Sequence, residues 1–196
     1  MQKNKNQKII TILGLPGSGK SVVIDYLMNK FNWPKVYFGE IILDEIKKQG
    51  LKVNEKNERM IREGMREKYG RLCYANPVIK KINKIKNTTI LVESLYDWEE
   101  YKLFKKTFKN NFITIAIYTT PSVRYKRLSV RKIRPLSLKE AQSRDYAQIE
   151  NIFQAGPIAM ANYTVNNNGS FEELYQQIDE IVYKVIKLKV KSKINF

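Results

Sequence analysis

The chain has 196 residues, 43% of them apolar, which suits one α/β unit with a full core and is too few for two. A balance of 36 Lys and Arg against 19 Asp and Glu gives a formal charge of +17, which favours polyanionic partners, or else is compositional drift, since the lysines are dispersed rather than gathered in one patch. With no histidine and the single cysteine Cys73, a Cys/His zinc cluster and an internal disulfide are excluded; no signal peptide or membrane span is legible, so the expected location is the cytoplasm.

After the polar stretch Met1 to Gln7, Lys8-Ile9-Ile10-Thr11-Ile12-Leu13 is a short β-branched run, expected to form a buried parallel strand. Gly14-Leu15-Pro16-Gly17-Ser18-Gly19-Lys20-Ser21 then matches G-x-x-x-x-G-K-[ST] at every fixed position. Val22, Val23, Tyr26, Leu27 and Phe31 follow at helical spacing, so the glycine loop joins a strand to a helix N-terminus. Glycines let the backbone curl until successive N–H groups surround phosphate oxygens, and the helix adds its positive dipole end. In that setting Lys20 reaches the β and γ phosphates and the Ser21 hydroxyl ligates Mg²⁺. Gly14, Pro16, Gly17, Ser18, Gly19, Lys20 and Ser21 are therefore the expected nucleotide phosphate site.

Trp33-Pro34 stops the first helix, and Lys35 to Phe38 reads as a second strand. Gly39-Glu40 turns into a helix from Ile41 to Gln49 that Gly50 ends. A longer helix runs from about Asn54 to Tyr69, closed by Gly70, and a weaker helical piece from Pro77 to Ile85. Thr88 to Val92 is a third strand that ends in Glu93; a helix from Asp97 to Lys106 and the strand Phe112 to Tyr118 follow. Thr120-Pro121-Ser122 opens a helix carrying the basic run Arg124 to Arg134, and Ser137-Leu138-Lys139-Glu140 is a capping box for a helix to about Phe153. Tyr163 to Val165 is the fifth strand, and Ser170 to Glu173 caps a last helix that fades into a lysine-rich tail at Lys187 to Lys193. Strands alternating with helices imply a parallel sheet covered on both faces, with its ligand at the carboxyl ends of the strands.

Arg124, Arg127, Arg131 and Arg134 recur at three- and four-residue intervals, on one side of a helix running into a lid. Cations so placed close over a triphosphate and neutralise charge on the transferred group; a solvated basic face is the alternative. Arg127 and Arg131 are the stronger candidates, then Arg124, while Arg144 beside Asp145 comes from the far side of the lid or forms a surface ion pair. Glu40 and Glu93 end the second and third strands, which aims both carboxylates at the nucleotide, although a helix N-terminus favours such acids by dipole alone. Glu93 would hold Mg²⁺ or its waters, and Glu40 would orient the acceptor and take a proton if that acceptor is a hydroxyl. Tyr69, Tyr74, Tyr96, Trp98 and Tyr101 either stack bases or, as is commoner, are half-buried packing. The Lys184 to Lys193 stretch reads as a solvated helix end before a nucleic-acid or membrane contact.

On these residues the chain resembles the nucleoside monophosphate kinase group, and most closely its dephospho-CoA kinase and archaeal-type (UPF0200-like) branches. The resemblance covers nearly the whole chain and rests on Gly14 to Ser21, Gly39-Glu40, Glu93, Pro121-Ser122-Val123-Arg124-Tyr125-Lys126-Arg127-Leu128 and Ser143-Arg144-Asp145. It closes on Ala161-Asn162-Tyr163-Thr164-Val165-Asn166-Asn167-Asn168-Gly169-Ser170, which is similar to the family's A-D-Y-V-I-x-N-x-G-S. The resemblance implies a three-layer P-loop NTPase fold: one α/β kinase domain over 1–196, with a five-stranded parallel sheet ordered 2-3-1-4-5, an acceptor-binding helical insert at about 39–86 and a helical lid at about 124–145. It implies Mg²⁺-dependent transfer of the γ-phosphoryl group of ATP, with GTP as the alternative donor, to a small phosphorylated acceptor. A nucleoside monophosphate is the first choice and dephospho-CoA the second. Asn167 and Gly169 stand where backbone contacts recognise adenine.

The chain also departs from its relatives. The archaeal-type branch usually has aspartate where Glu40 and Glu93 stand, and arginine where Leu43 and Tyr96 stand. Without those arginines, Arg62 and Arg66, on one face with Arg59, are the candidate grips on the acceptor, Arg66 first, with Tyr96 lining the pocket. A rival reading is a nucleotide-binding module with a decayed acceptor site that acts through a protein or RNA partner. A third, a kinase acting on nucleic-acid ends, rests on the charge of +17 alone.

Overall fold

Hydrophobic residues on both faces of a strand require cover on both sides, and that requirement sets the architecture. The computed structural model of the chain describes residues 7–186; residues 1–6 and the tail Lys187 to Lys193 lie outside the described residues, as do the expectations made for them. Among the described residues there are five parallel strands and nine α-helices. The central strand β1 (Lys8–Leu13) pairs with β3 (Thr89–Glu93) on one side and β4 (Phe112–Tyr118) on the other. Outside them lie β2 (Lys35–Tyr37) and β5 (Tyr163–Asn166), which gives the order 2-3-1-4-5 expected from the resemblance.

The helices are α1 (Lys20–Phe31), α2 (Gly39–Lys48), α3 (Glu55–Tyr69), α4 (Ala75–Ile82), α5 (Trp98–Phe108), α6 (Pro121–Val130), α7 (Leu138–Glu150), α8 (Ala155–Ala159) and α9 (Phe171–Ile186). The period of two along β1 divides the core into two layers. Ile9 and Leu13 point into one, with Val36, Val92, Phe104 and Phe112 under α4 and α5. Ile10 and Ile12 point into the other, with Val23, Leu27, Leu174 and Ile178 of α1 and α9. A smaller cluster of Leu128, Leu136 and Ala141 joins α6 to α7. Register sets Ile12 opposite Glu93 and Tyr37 opposite Glu93, so the strands end along one edge, from which the glycine loop departs.

Tyr74 and Tyr101 are buried, and Trp98 stacks on Tyr101 with ring centroids 5.2 Å apart, so these aromatics are packing. The basic run is not one helix. α6 ends at Val130, Arg131 is extended, and Arg134 has φ +54, because the Leu136 amide returns to the Leu128 carbonyl at 3.0 Å and Pro135 disfavours helix before it. α7 stops at Glu150 instead of reaching Phe153, which has φ +54, and the short α8 was not anticipated.

Phe104 is wholly buried against the rings of Phe38, Phe108 and Phe112. Phe104→Ala is expected to cost about 3–5 kcal/mol, read as a lower urea midpoint at unchanged slope.

Candidate active site

The glycine loop has the backbone that only glycine adopts without strain. Gly17 and Gly19 have φ +78 and +98, and a Cβ on either would meet the Arg124 carbonyl oxygen at 2.8 Å or the Asn167 amide nitrogen at 2.2 Å. The loop is braced from behind through its carbonyls. Arg124, 3% exposed, donates Nη1 to Pro16 O at 3.1 Å and Nε to Thr119 O at 3.2 Å, and pairs in bidentate fashion with Asp145 at 3.0 and 2.7 Å. Asn167 Nδ2 and Thr119 Oγ1 both donate to Ser18 O, at 2.7 and 3.1 Å, and Gln154 Nε2 donates to Gly14 O at 3.0 Å. Arg124 and Asn167, expected against the nucleotide, have their side chains under the loop, where Asp145 and the Pro16 carbonyl take the Arg124 guanidinium and Ser18 O takes Asn167 Nδ2, while Asn167 Oδ1 is buried without a hydrogen-bond partner.

Lys20 begins α1 beneath the loop and donates Nζ to Gly14 O at 2.8 Å and Leu15 O at 3.1 Å. Burial, with the nearby Arg144 guanidinium next, pulls its pKa down to about 7. Tyr96 lies beside it, the ammonium 5.9 Å from the ring centroid, and donates its hydroxyl to Ser94 Oγ at 2.8 Å. Ser21 Oγ donates to Glu93 Oε1 at 2.7 Å, and Lys35 Nζ lies 3.3 Å from the other carboxylate oxygen. A hydroxyl and a buried carboxylate in contact at the strand ends are oxygen donors that fit a hard divalent cation.

A second group of cations lies near this loop. Arg62 of α3 is 4% exposed, and Arg144 of α7 lies near enough to lower the proton affinity of both Arg62 and Lys20, after burial. The segment from Arg131 to Arg144 docks on α3: Arg134 pairs with Glu58, Arg144 Nη1 lies 2.6 Å from Glu55 Oε2, and Arg59 Nη1 donates to Ser143 Oγ at 3.4 Å. Arg131 donates Nε to the Arg134 carbonyl, and Arg127, half-buried on α6, makes no hydrogen bond or ion pair with any described residue.

Two expected residues are drawn elsewhere. The Glu40 carboxylate is half exposed and pairs with Lys81 of α4, so it does not turn toward the loop. Arg66 pairs with Glu100 at 3.2 Å and Asp97 at 3.6 Å and lies 4.9 Å above the Tyr74 ring; Arg59 and Arg62, not Arg66, are the α3 arginines grouped with Arg144. Glu100 itself is wholly buried, which pushes its pKa up to about 7. Sequence reasoning missed Glu55, Glu58, Thr119 and Gln154. The two acids had a signal, since positions 55, 58 and 62 share a helix face.

A family model described as an AAA domain matches residues 10–148. The chain is 30% identical over 194 residues to the UPF0200 protein of Methanocaldococcus jannaschii, covering 96% of each. It is 32% identical over 185 residues to that of Methanococcus vannielii, covering 91% of this chain and 97% of the relative. A UPF0200/UPF0201 protein of Archaeoglobus fulgidus is 29% identical over 195 residues, and there the chain spans 60% of the relative's length. Among solved structures, a shikimate kinase from Bacteroides thetaiotaomicron superposes with TM-score 0.60 at 13% identity, over 92% of this chain and 99% of that one. A gluconokinase from Sinorhizobium meliloti gives 0.62 at 12%, over 95% and 98%. At such identities the likeness is one of fold.

Bound phosphate restores the charge that Lys20 lacks in its buried setting. Nucleotide binding is therefore expected to take up close to one proton at about pH 8 and few at about pH 6, where Lys20 is already charged. Calorimetry in buffers of different ionisation enthalpy reads this as the difference between wild type and Lys20→Met.

Proposed function

We infer the function from the premise that this chain belongs to the UPF0200 family of AAA-domain proteins and has the fold of the P-loop kinases. The reaction is Mg²⁺-dependent transfer of the γ-phosphoryl group of ATP to a small phosphorylated acceptor, a nucleoside monophosphate before dephospho-CoA, with GTP as the alternative donor. One observation carries it: the buried Arg62 of α3 and Arg144 of α7 come together on Glu55, and Arg144 is also within electrostatic reach of Lys20, so cations from two elements gather near one phosphate loop. Two phosphate groups brought together for in-line transfer need that arrangement.

The loop amides and Lys20 bind the donor phosphates. Ser21 and Glu93 would hold Mg²⁺, which would supply Lewis-acid charge to offset that of the phosphates. The stretch 124–145 is the lid, bringing Arg131 and Arg144 over the site while Arg127 keeps its guanidinium available to the donor. Arg62 grips the acceptor phosphate, and Tyr96 lines its pocket.

A phosphate nucleophile is already ionised and needs no base, which suits the outward Glu40. A hydroxyl acceptor needs one, and the carboxylates near the loop are engaged: Glu93 by Ser21, Glu55 and Glu58 by arginines. Dephospho-CoA, a hydroxyl acceptor, accordingly comes second. The decayed-site reading rests on Leu43 and Tyr96, and Arg62 answers it by supplying a cation from another helix. No helix among the described residues is long and apolar enough to cross a membrane, and the place of action we propose is the cytoplasm.

Labelled ATP and GTP with Mg²⁺, offered a panel of nucleoside monophosphates, dephospho-CoA and a 5′-hydroxyl oligonucleotide, test this. Wild type is expected to label a monophosphate and Lys20→Ala none. Arg62→Ala should raise the acceptor KM roughly tenfold or more at unchanged donor KM, and Glu40→Gln should leave kcat within about twofold. Tight nucleotide binding with no acceptor labelled would favour the decayed site.

A further inference from the structure

Glu55 opens α3, and its ordinary account is an acid in the first turn, favoured by the helix dipole and by the pair with Arg59 one turn on. Its surroundings ask for more. One carboxylate oxygen lies 2.6 Å from Arg144 Nη1; the other lies 3.6 Å from Arg59 Nε and 3.7 Å from Arg62 Nη2, with 13% of the side chain exposed. Neither oxygen accepts an aligned hydrogen bond, and the Nε groups of Arg59 and Arg144 are buried without a hydrogen-bond partner. Three guanidiniums thus converge on one carboxylate that satisfies none of them: the group is held by charge and not by fit.

A phosphate monoester would serve that place better. It brings up to two charges and three oxygens, and takes paired N–H donors from a guanidinium fork. A groove of about 620 Å³ between α3 and α7, lined by Glu55, Arg59, Glu63, Lys139, Glu140 and Ser143, reaches the Glu55 and Arg59 side of the cluster.

We propose that Arg59, Arg62 and Arg144 form the clamp for the acceptor's phosphate and that Glu55 is a built-in anion occupying it, displaced when the acceptor enters. This deepens, and rests on, the reading of the acceptor as phosphorylated. Arg59 and Arg62 belong to α3 and Arg144 to α7, so an anion at this point fastens the lid to the acceptor helix. Glu55 keeps them docked beforehand, at the expense of acceptor affinity.

The test uses inorganic phosphate as the probe, titrated calorimetrically into the full chain. The P-loop also takes phosphate, so Lys20→Ala serves as a matched background. Glu55→Gln is expected to bind phosphate about tenfold more tightly than wild type. The gain should persist in Glu55→Gln/Lys20→Ala relative to Lys20→Ala, and disappear in Glu55→Gln/Arg62→Ala. Unchanged or weaker binding, or a gain that follows Lys20 instead of Arg62, overturns the proposal. If Glu55→Gln does not fold, Glu55→Asp, one methylene shorter, should give a smaller tightening, and no tightening there is equally fatal. Phosphate binding as expected with no acceptor labelled would leave the clamp standing and remove the kinase reading.

Discussion

The crowding of basic groups, some buried and some half-buried, is the constraint that the rest of the site answers to. Lys20, Arg62, Arg131 and Arg144 share one neighbourhood, and burial followed by Arg144's charge lowers the proton affinity of the other three. Assembling such a group costs free energy in the folded protein, and Glu55, Glu58 and Glu93 offset it only in part. A site that holds uncompensated positive charge away from water is poised for an anion of high charge density. In a glycine loop of this geometry that anion is a chain of phosphates.

The fold supplies the means of holding that charge in place. Parallel pairing brings the ends of β1, β2 and β3 to one edge, which sets Glu93 against Ser21. The loop is stiffened by groups far away in sequence: Arg124 ties it to Asp145 on α7, and Asn167 and Gln154 reach it from beyond β4. The helix that braces the loop from behind through Asp145 also carries, in the preceding residue, the Arg144 guanidinium that pairs with Glu55 and is within electrostatic reach of Lys20. The loop and α7 are therefore joined through Arg124 and Asp145.

The glycine loop, the sheet and most of the helices were readable from the chain because each depends on local spacing: two glycines, a lysine and a serine at fixed positions, apolar residues at periods of two or 3.6. What escaped depends on distance in space. Arg124 and Arg131 look equivalent on a helical wheel, yet one faces inward to Asp145 and the other stands past the end of the helix, where Pro135 and the Leu136 amide divert the chain. Glu40 and Glu93 look equivalent as strand-end acids, but Lys81, from a helix two elements later, draws Glu40 aside. Arg66 and Arg62 lie one turn apart, and only the buried acids Asp97, which caps α5, and Glu100 within it decide which of them is taken.

The central claim is that the P-loop and the Arg62–Arg144 side hold the two ends of one transfer. The most direct measurement is calorimetric titration with a ligand of two adenosines joined through five phosphates, compared with ATP in the presence of Mg²⁺. If both sides bind phosphate at once, the linked ligand binds roughly a hundredfold more tightly than ATP, and Arg62→Ala removes the advantage while leaving ATP affinity intact. Equal affinity for the two ligands, unaltered by Arg62→Ala, would contradict the account.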